Sequence, residues 1–218
     1  VAVVASRQSS VVLYSDGKDQ YCHRVRIVLA VKGVEADIVD VSSDEALCEE
    51  VAEINPYGTL PALKDRDFGV FQPAVILAYL DERFPYPPLL PLYPDQRAEI
   101  RIMMHDMERL WCEPAQQLLA GNASSSESTS IRNGLVAELS HTEGAFAEKK
   151  FFQQDSLTLM DCCLFPFVWR LPLLGIKLPE SCQRAIRDYL LRMLEHREFR
   201  ESLSEQEQEM RPGFVKLG

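Results

Sequence analysis

The chain has 218 residues, 46% of them hydrophobic, with 33 acidic against 23 basic side chains and a net charge of −10. That length and apolar content suit one large domain or two small ones with a sizeable core, and exclude disorder as the default. The acidic excess argues against direct nucleic-acid binding, which needs a basic face for phosphates, and suits a partner with basic surfaces.

Val11-Val12-Leu13-Tyr14 reads as a short buried strand, followed by a polar turn over residues 15–20. Tyr21, Val25, Val28 and Leu29 then recur on one helical face, and Gly33 stops the helix. Ile38-Val39-Asp40-Val41 is the next strand, so the spacing fits a parallel crossover. Ser42 and Glu45 have capping-box spacing and open a helix ending near Ile54. After the break Asn55-Pro56-Tyr57-Gly58, short strands are expected over residues 60–63 and 69–71, with the charged turn Lys64-Asp65-Arg66-Asp67 between them. Ile76, Leu77, Leu80 and Phe84 mark a third helix. This β-α-β-α-β-β-α order defines a thioredoxin-like α/β domain over residues 11–84.

A linker over residues 85–94 follows, with Pro85, Pro87, Pro88, Pro91 and Pro94 keeping it extended and stiff. Residues 95–205 read as an all-α domain. Ile100, Met103, Met104, Met107, Leu110 and Trp111 form one amphipathic stripe, and residues 121–130 a Ser-rich loop. Helical patterns resume over 131–146, 158–171 and 181–194. Thr158 and Asp161 cap the most apolar of these, in which Pro166 predicts a kink. Residues 206–218 are expected to be a flexible tail.

None of the six cysteines forms a CxxC pair, and the adjacent Cys162-Cys163 cannot close an unstrained bridge. They read as reduced thiols of a cytoplasmic protein. Val1 to Ala5 is too short for a signal-peptide core, and no apolar run has membrane-spanning length, so no export and no membrane association are expected. His23, His105, His141 and His196 lack ligand spacing, and no metal site is expected.

An α/β domain with Leu60-Pro61, a proline-rich linker and a helical domain with the Thr158–Asp161 cap resembles the cytosolic glutathione transferases over residues 11–200. That resemblance implies a cis peptide before Pro61. The segments from Tyr21 to Ala30, from Tyr79 to Pro85 and from Trp169 to Pro172, with the ending Glu207-Gln208-Glu209-Met210-Arg211, are further similar to the bacterial stringent starvation protein A family. This resemblance implies a glutathione transferase fold used without transferase activity. It also implies a homodimer that associates with the RNA polymerase holoenzyme, core and sigma factor, to regulate transcription in starvation and stress.

The residues bear on that choice. At the start of the first helix, where transferases of the thiol type carry Cys, this chain has Asp19. A carboxylate opposes a thiolate there and serves better as a helix cap. At the start of the third helix, where transferases bind the γ-glutamyl carboxylate through a Ser, it has Gln72-Pro73. Pro73 lacks both hydroxyl and N–H. No catalytic residue and no cofactor are therefore expected. Ser15 and Tyr14 remain the hydroxyl candidates for the alternative, a glutathione-dependent transferase or peroxidase, and Cys22 for a redox sensor. The family's exposed Pro-His-Pro implies partner binding by Pro85, Tyr86 and Pro87, with Tyr93 nearby. Tyr86 keeps an aromatic ring but not a titratable imidazole.

Overall fold

In the computed structural model, which describes residues 10–41 and 45–213, strand β1 (Val11–Ser15) lies inside a four-stranded sheet of order β2-β1-β3-β4. β2 (Ala36–Asp40) pairs with it in parallel, Leu13 opposite Ile38. β3 (Ala62–Asp65) pairs with it antiparallel, Leu13 opposite Leu63, and β4 (Phe68–Phe71) completes a hairpin with β3. The parallel step is made by helix α1 (Gln20–Val31), as the i, i+4, i+7 apolar spacing requires. Its end is set by Gly33 at φ 62: the Gly33 N–H donates to the Ala30 carbonyl and the Val34 N–H to the Leu29 carbonyl, each at 3.0 Å. This double bond pattern satisfies carbonyls that the helix leaves open, and it needs a left-handed residue that glycine supplies without strain.

Helix α2 (Glu45–Ile54) covers one sheet face. Val51, Leu47 and Ile54 pack there against Val12, Tyr14, Val39, Val41, Leu60 and Ala62. Val51 and Val41 are buried here and Val12, Val39, Leu47, Ile54 and Leu60 half-buried, so the half-buried ones each contribute less than the roughly 1.5–3 kcal/mol of full burial. Helix α3 (Pro73–Arg83) packs on α1, burying Ile76, Leu77 and Leu80. The capping box expected from Ser42 lies outside the described residues.

Two expectations here need correction. β3 starts at Ala62, after Pro61, and runs through Lys64 and Asp65, so the turn is only Arg66-Asp67, with Arg66 at φ 58. Asp65 pairs with Val11 and Phe68 in the sheet, and its buried carboxylate is held through Oδ2 alone, which accepts from Tyr79 Oη at 2.8 Å and from Arg83 Nε at 3.2 Å.

The chain divides into two units between Pro87 and Pro88, a finer boundary than the stretch 85–94. The second unit is helical among its described residues. α4 (Pro94–Met107) continues through a π-helical turn, Glu108–Cys112, into α5 (Glu113–Leu119). Next come α6 (Ser125–His141) and α7 (Glu143–Ala147), then α8 (Leu159–Arg170) with a 3₁₀ turn, Leu171–Leu174. α9 (Glu180–Glu195), α10 (Arg197–Glu201) and α11 (Glu205–Glu209) complete it.

The Ser-rich segment expected as a loop is mostly the start of α6. Ser124 and Glu127 form a reciprocal capping box, the Ser124 N–H donating to Glu127 Oε2 at 2.9 Å. The twelve residues of α8 are all buried, in keeping with a helix apolar on every side. The α8 cap holds as expected: the buried Asp161 carboxylate accepts from the Thr158 N–H (3.0 Å) and hydroxyl (3.2 Å), the Phe152 N–H (2.8 Å) and Tyr189 Oη (3.1 Å). α8 continues past Pro166 to Arg170, whose Nη1 donates to the Pro166 carbonyl at 2.9 Å.

The tail expected to be flexible is ordered as far as it is described. Ser204 caps α11, and Glu207 is 0% exposed and ion-paired with Arg170. Trp169 Nε1 donates to the Glu207 carbonyl at 2.9 Å. A buried ion pair and an indole bond hold a segment whose polar composition alone reads as solvent-exposed.

Candidate functional site

The N-terminus of α1 is where thiol chemistry would be placed by this topology, because the helix dipole and free N–H groups stabilise an anion there. Asp19 occupies the cap. Its carboxylate accepts the Cys22 N–H at 2.7 Å, which is the capping role expected of it. One of the open N–H groups is thereby consumed, and a negative charge stands where a thiolate would form. The Cys22 thiol accepts from the Asp16 N–H at 3.3 Å and is fully buried. Burial first, and the Asp19 carboxylate second, push this thiol well above its ordinary range. Both effects disfavour the thiolate that a redox sensor at Cys22 would need.

The hydroxyl candidates are committed elsewhere. Ser15 is 2% exposed, and its Oγ accepts from Arg26 Nη1 at 2.7 Å. The Ser15 Oγ also lies 3.5 Å from the Asp16 carbonyl and beside the Cys22 thiol, neither of which is a base that could take its proton. Tyr14, buried against α2, donates to Glu50 Oε2 at 2.7 Å. Burial and the Glu50 carboxylate push its phenol up to about 12, the direction opposite to that of an activating hydroxyl. The two lie at successive strand positions and so face opposite sides of the sheet.

The peptide before Pro61 is cis. At the start of α3, Gln72 sits at φ 70, ψ 119 with no side-chain cap bond, and Pro73 is the first helical residue. Pro73 itself offers a carboxylate neither an N–H nor a hydroxyl, so the donors left at this helix start are those of Gln72 and the backbone beyond Pro73.

The expected partner-binding residues fall into the two units. Pro85, Tyr86 and Pro87 end the first, all exposed, and Tyr86 is 81% exposed with a cis peptide to Pro87. Tyr93 belongs to the second, at the N-cap of α4, and is 62% exposed. Sequence reasoning missed what stands behind Pro87. The Lys32 Nζ donates at 2.6 Å both to Asp81 Oδ1 and to the Pro87 carbonyl. No spacing pattern connects residues 49 positions apart, so nothing in the sequence marked this pair.

Among the described residues no group of side chains could hold a metal ion, and no helix is long and apolar enough to cross a membrane.

A thioredoxin-like unit with a cis proline before β3, followed by a helical unit, is the glutathione transferase fold. Residues 20–83 match the glutathione S-transferase N-terminal domain family. The fold is shared with Ure2p in complex with glutathione, at a TM-score of 0.78 with 16% identity over 91% of this chain and 94% of that one. Maleylacetoacetate isomerase of Rattus norvegicus is 34% identical over 170 residues, 72% of this chain and 76% of that protein. A stringent starvation protein A homolog of Coxiella burnetii is 42% identical over 205 residues, covering 94% of this chain and 97% of that one. The chain belongs to the stringent starvation protein A family.

Proposed function

We propose that this chain is a non-catalytic regulator of the starvation and stress response, a cytoplasmic homodimer that docks on the RNA polymerase holoenzyme. Pro85, Tyr86 and Pro87 form its principal contact, with Tyr93 as an additional one. The observation that carries this reading is Tyr86, a large aromatic ring 81% exposed between two prolines. A side chain with two rotatable bonds on a proline-restricted backbone loses little entropy on docking, and aromatic anchors dominate binding energy. The net charge of −10 favours basic regions of the polymerase over DNA. Family membership supports the partner, and the capped α1 N-terminus supports the absence of catalysis.

The test is co-purification of RNA polymerase from a bacterial extract on the immobilised full chain, against a Pro85→Ala/Pro87→Ala variant. Retention by the wild type and loss in the variant is expected; failure of the wild type to retain polymerase refutes the reading. The likeness to an isomerase keeps a glutathione-dependent enzyme using Ser15 or Tyr14 as the competing reading. Millimolar glutathione separates the two. It leaves the melting temperature unchanged for the regulator and raises it by several degrees for the enzyme.

A further inference from the structure

Lys32 is the C-cap of α1, and its side chain is 0% exposed. Removing an ammonium from water is costly unless charge and hydrogen bonds replace the hydration it loses. Asp81, on α3, supplies the charge, and the second acceptor is the Pro87 carbonyl. That carbonyl lies immediately beyond Tyr86. Among the described residues, no other hydrogen bond reaches residues 85–88: the nearest are Phe84 N–H to the Leu80 carbonyl before them and Leu159 N–H to the Leu89 carbonyl after them. Prolines cannot donate, so carbonyls are the only backbone handles at positions 85, 87 and 88. One of them is gripped by a charged donor, the stronger kind of hydrogen bond.

We propose that Lys32, oriented by Asp81, is the clamp that holds Pro85, Tyr86 and Pro87 in their partner-binding geometry. Lys32 is a positioning residue: it is buried behind the segment and touches no partner. The inference rests on the docking reading above and adds to it the element that presents the surface. Without the clamp the segment samples other conformations, and the apparent affinity falls by the fraction of time it spends in the competent one.

The experiment uses the full chain with Lys32→Met/Asp81→Leu, which removes both charges together. Replacing a buried ion pair by apolar side chains of similar size leaves stability nearly unchanged, so the fold persists while the Pro87 carbonyl loses its donor. Two quantities are read: the NMR order parameter of the Tyr86 amide and polymerase retention on the immobilised chain. The order parameter is expected to fall from about 0.85 to below about 0.6. Retention is expected to fall about tenfold.

Retention equal to the wild type overturns the proposal, whether or not Tyr86 gains mobility. If the wild type itself retains no polymerase, the docking reading fails, and an unchanged order parameter then overturns the clamp as well. Should the double variant unfold, Lys32→Gln is read by the same two measurements. It keeps a neutral donor and is expected to lie between the wild type and full loss.

Discussion

Replacing Glu207 by Ala isolates what holds α11 in place. The Glu207 carboxylate is wholly buried and takes the Arg170 guanidinium on one oxygen and the Ser204 N–H, at 2.9 Å, on the other. Truncation strands a guanidinium whose side chain is only 6% exposed, with the Pro166 carbonyl still accepting from it. Breaking a buried pair from one side costs about 3–5 kcal/mol, and losing a cap adds about 1 kcal/mol. A destabilisation of about 5 kcal/mol is expected.

In urea, with an m-value of about 2.5 kcal/mol/M for a chain of this size, the midpoint should fall by roughly 2 M. Trp169 reports the event locally, since its indole N–H donates to the Glu207 carbonyl. Its fluorescence should therefore change at lower urea than in the wild type. The paired variant Arg170→Met/Glu207→Leu should recover most of the loss, because neither charge is then left unpaired. The reasoning is refuted if Glu207→Ala costs less than about 1 kcal/mol, or if the paired variant is as unstable as the single one.

Asp161 gives a pH dependence. Burial raises its pKa from 3.8 to about 6, outweighing the four hydrogen bonds that pull it down. The folded state therefore holds this proton more tightly than the unfolded one. Its contribution is complete below about pH 3.8 and is lost as the pH rises through about 6. Asp161→Asn should remove that part of the slope, gaining about 3 kcal/mol relative to the wild type between pH 4 and 7 by urea titration; a constant difference across the range would contradict it. Under native alkylation at pH 8, mass spectrometry should find Cys48, which is exposed, modified well before Cys22, and equal rates would refute the burial argument. Gly33→Ala should lower stability by about 1 kcal/mol in a thermal melt. A Cβ there meets no atom within 4 Å, so the cost is purely that of φ 62.

Much of the first unit was legible because apolar period decides it. The i, i+4, i+7 recurrence from Tyr21 to Leu29 and the uninterrupted Val11 to Tyr14 leave little choice. Asp65 was misread because charge suggests a turn, and only Tyr79 and Arg83, supplied by a distant helix, make a buried carboxylate tolerable in a strand. The two errors in the second unit share one cause. Ser124 with Glu127, and Ser204 with Glu207, both carry the S-x-x-E cap signature, yet each lies in a polar stretch that reads as solvent-exposed. In the candidate site, Asp19 and Pro73 were legible because each acts through its own backbone position. Lys32 and Asp81, like Arg26 on Ser15, depend on the fold to bring them together.

The α11 latch also has a mechanical side. Tension applied at residue 213 first meets Pro212, which is buried, and then α11. There it meets the Arg170–Glu207 pair and the Trp169 bond, both anchored on α8. Every residue of α8 is buried, so the resistance felt at α11 is that of the core.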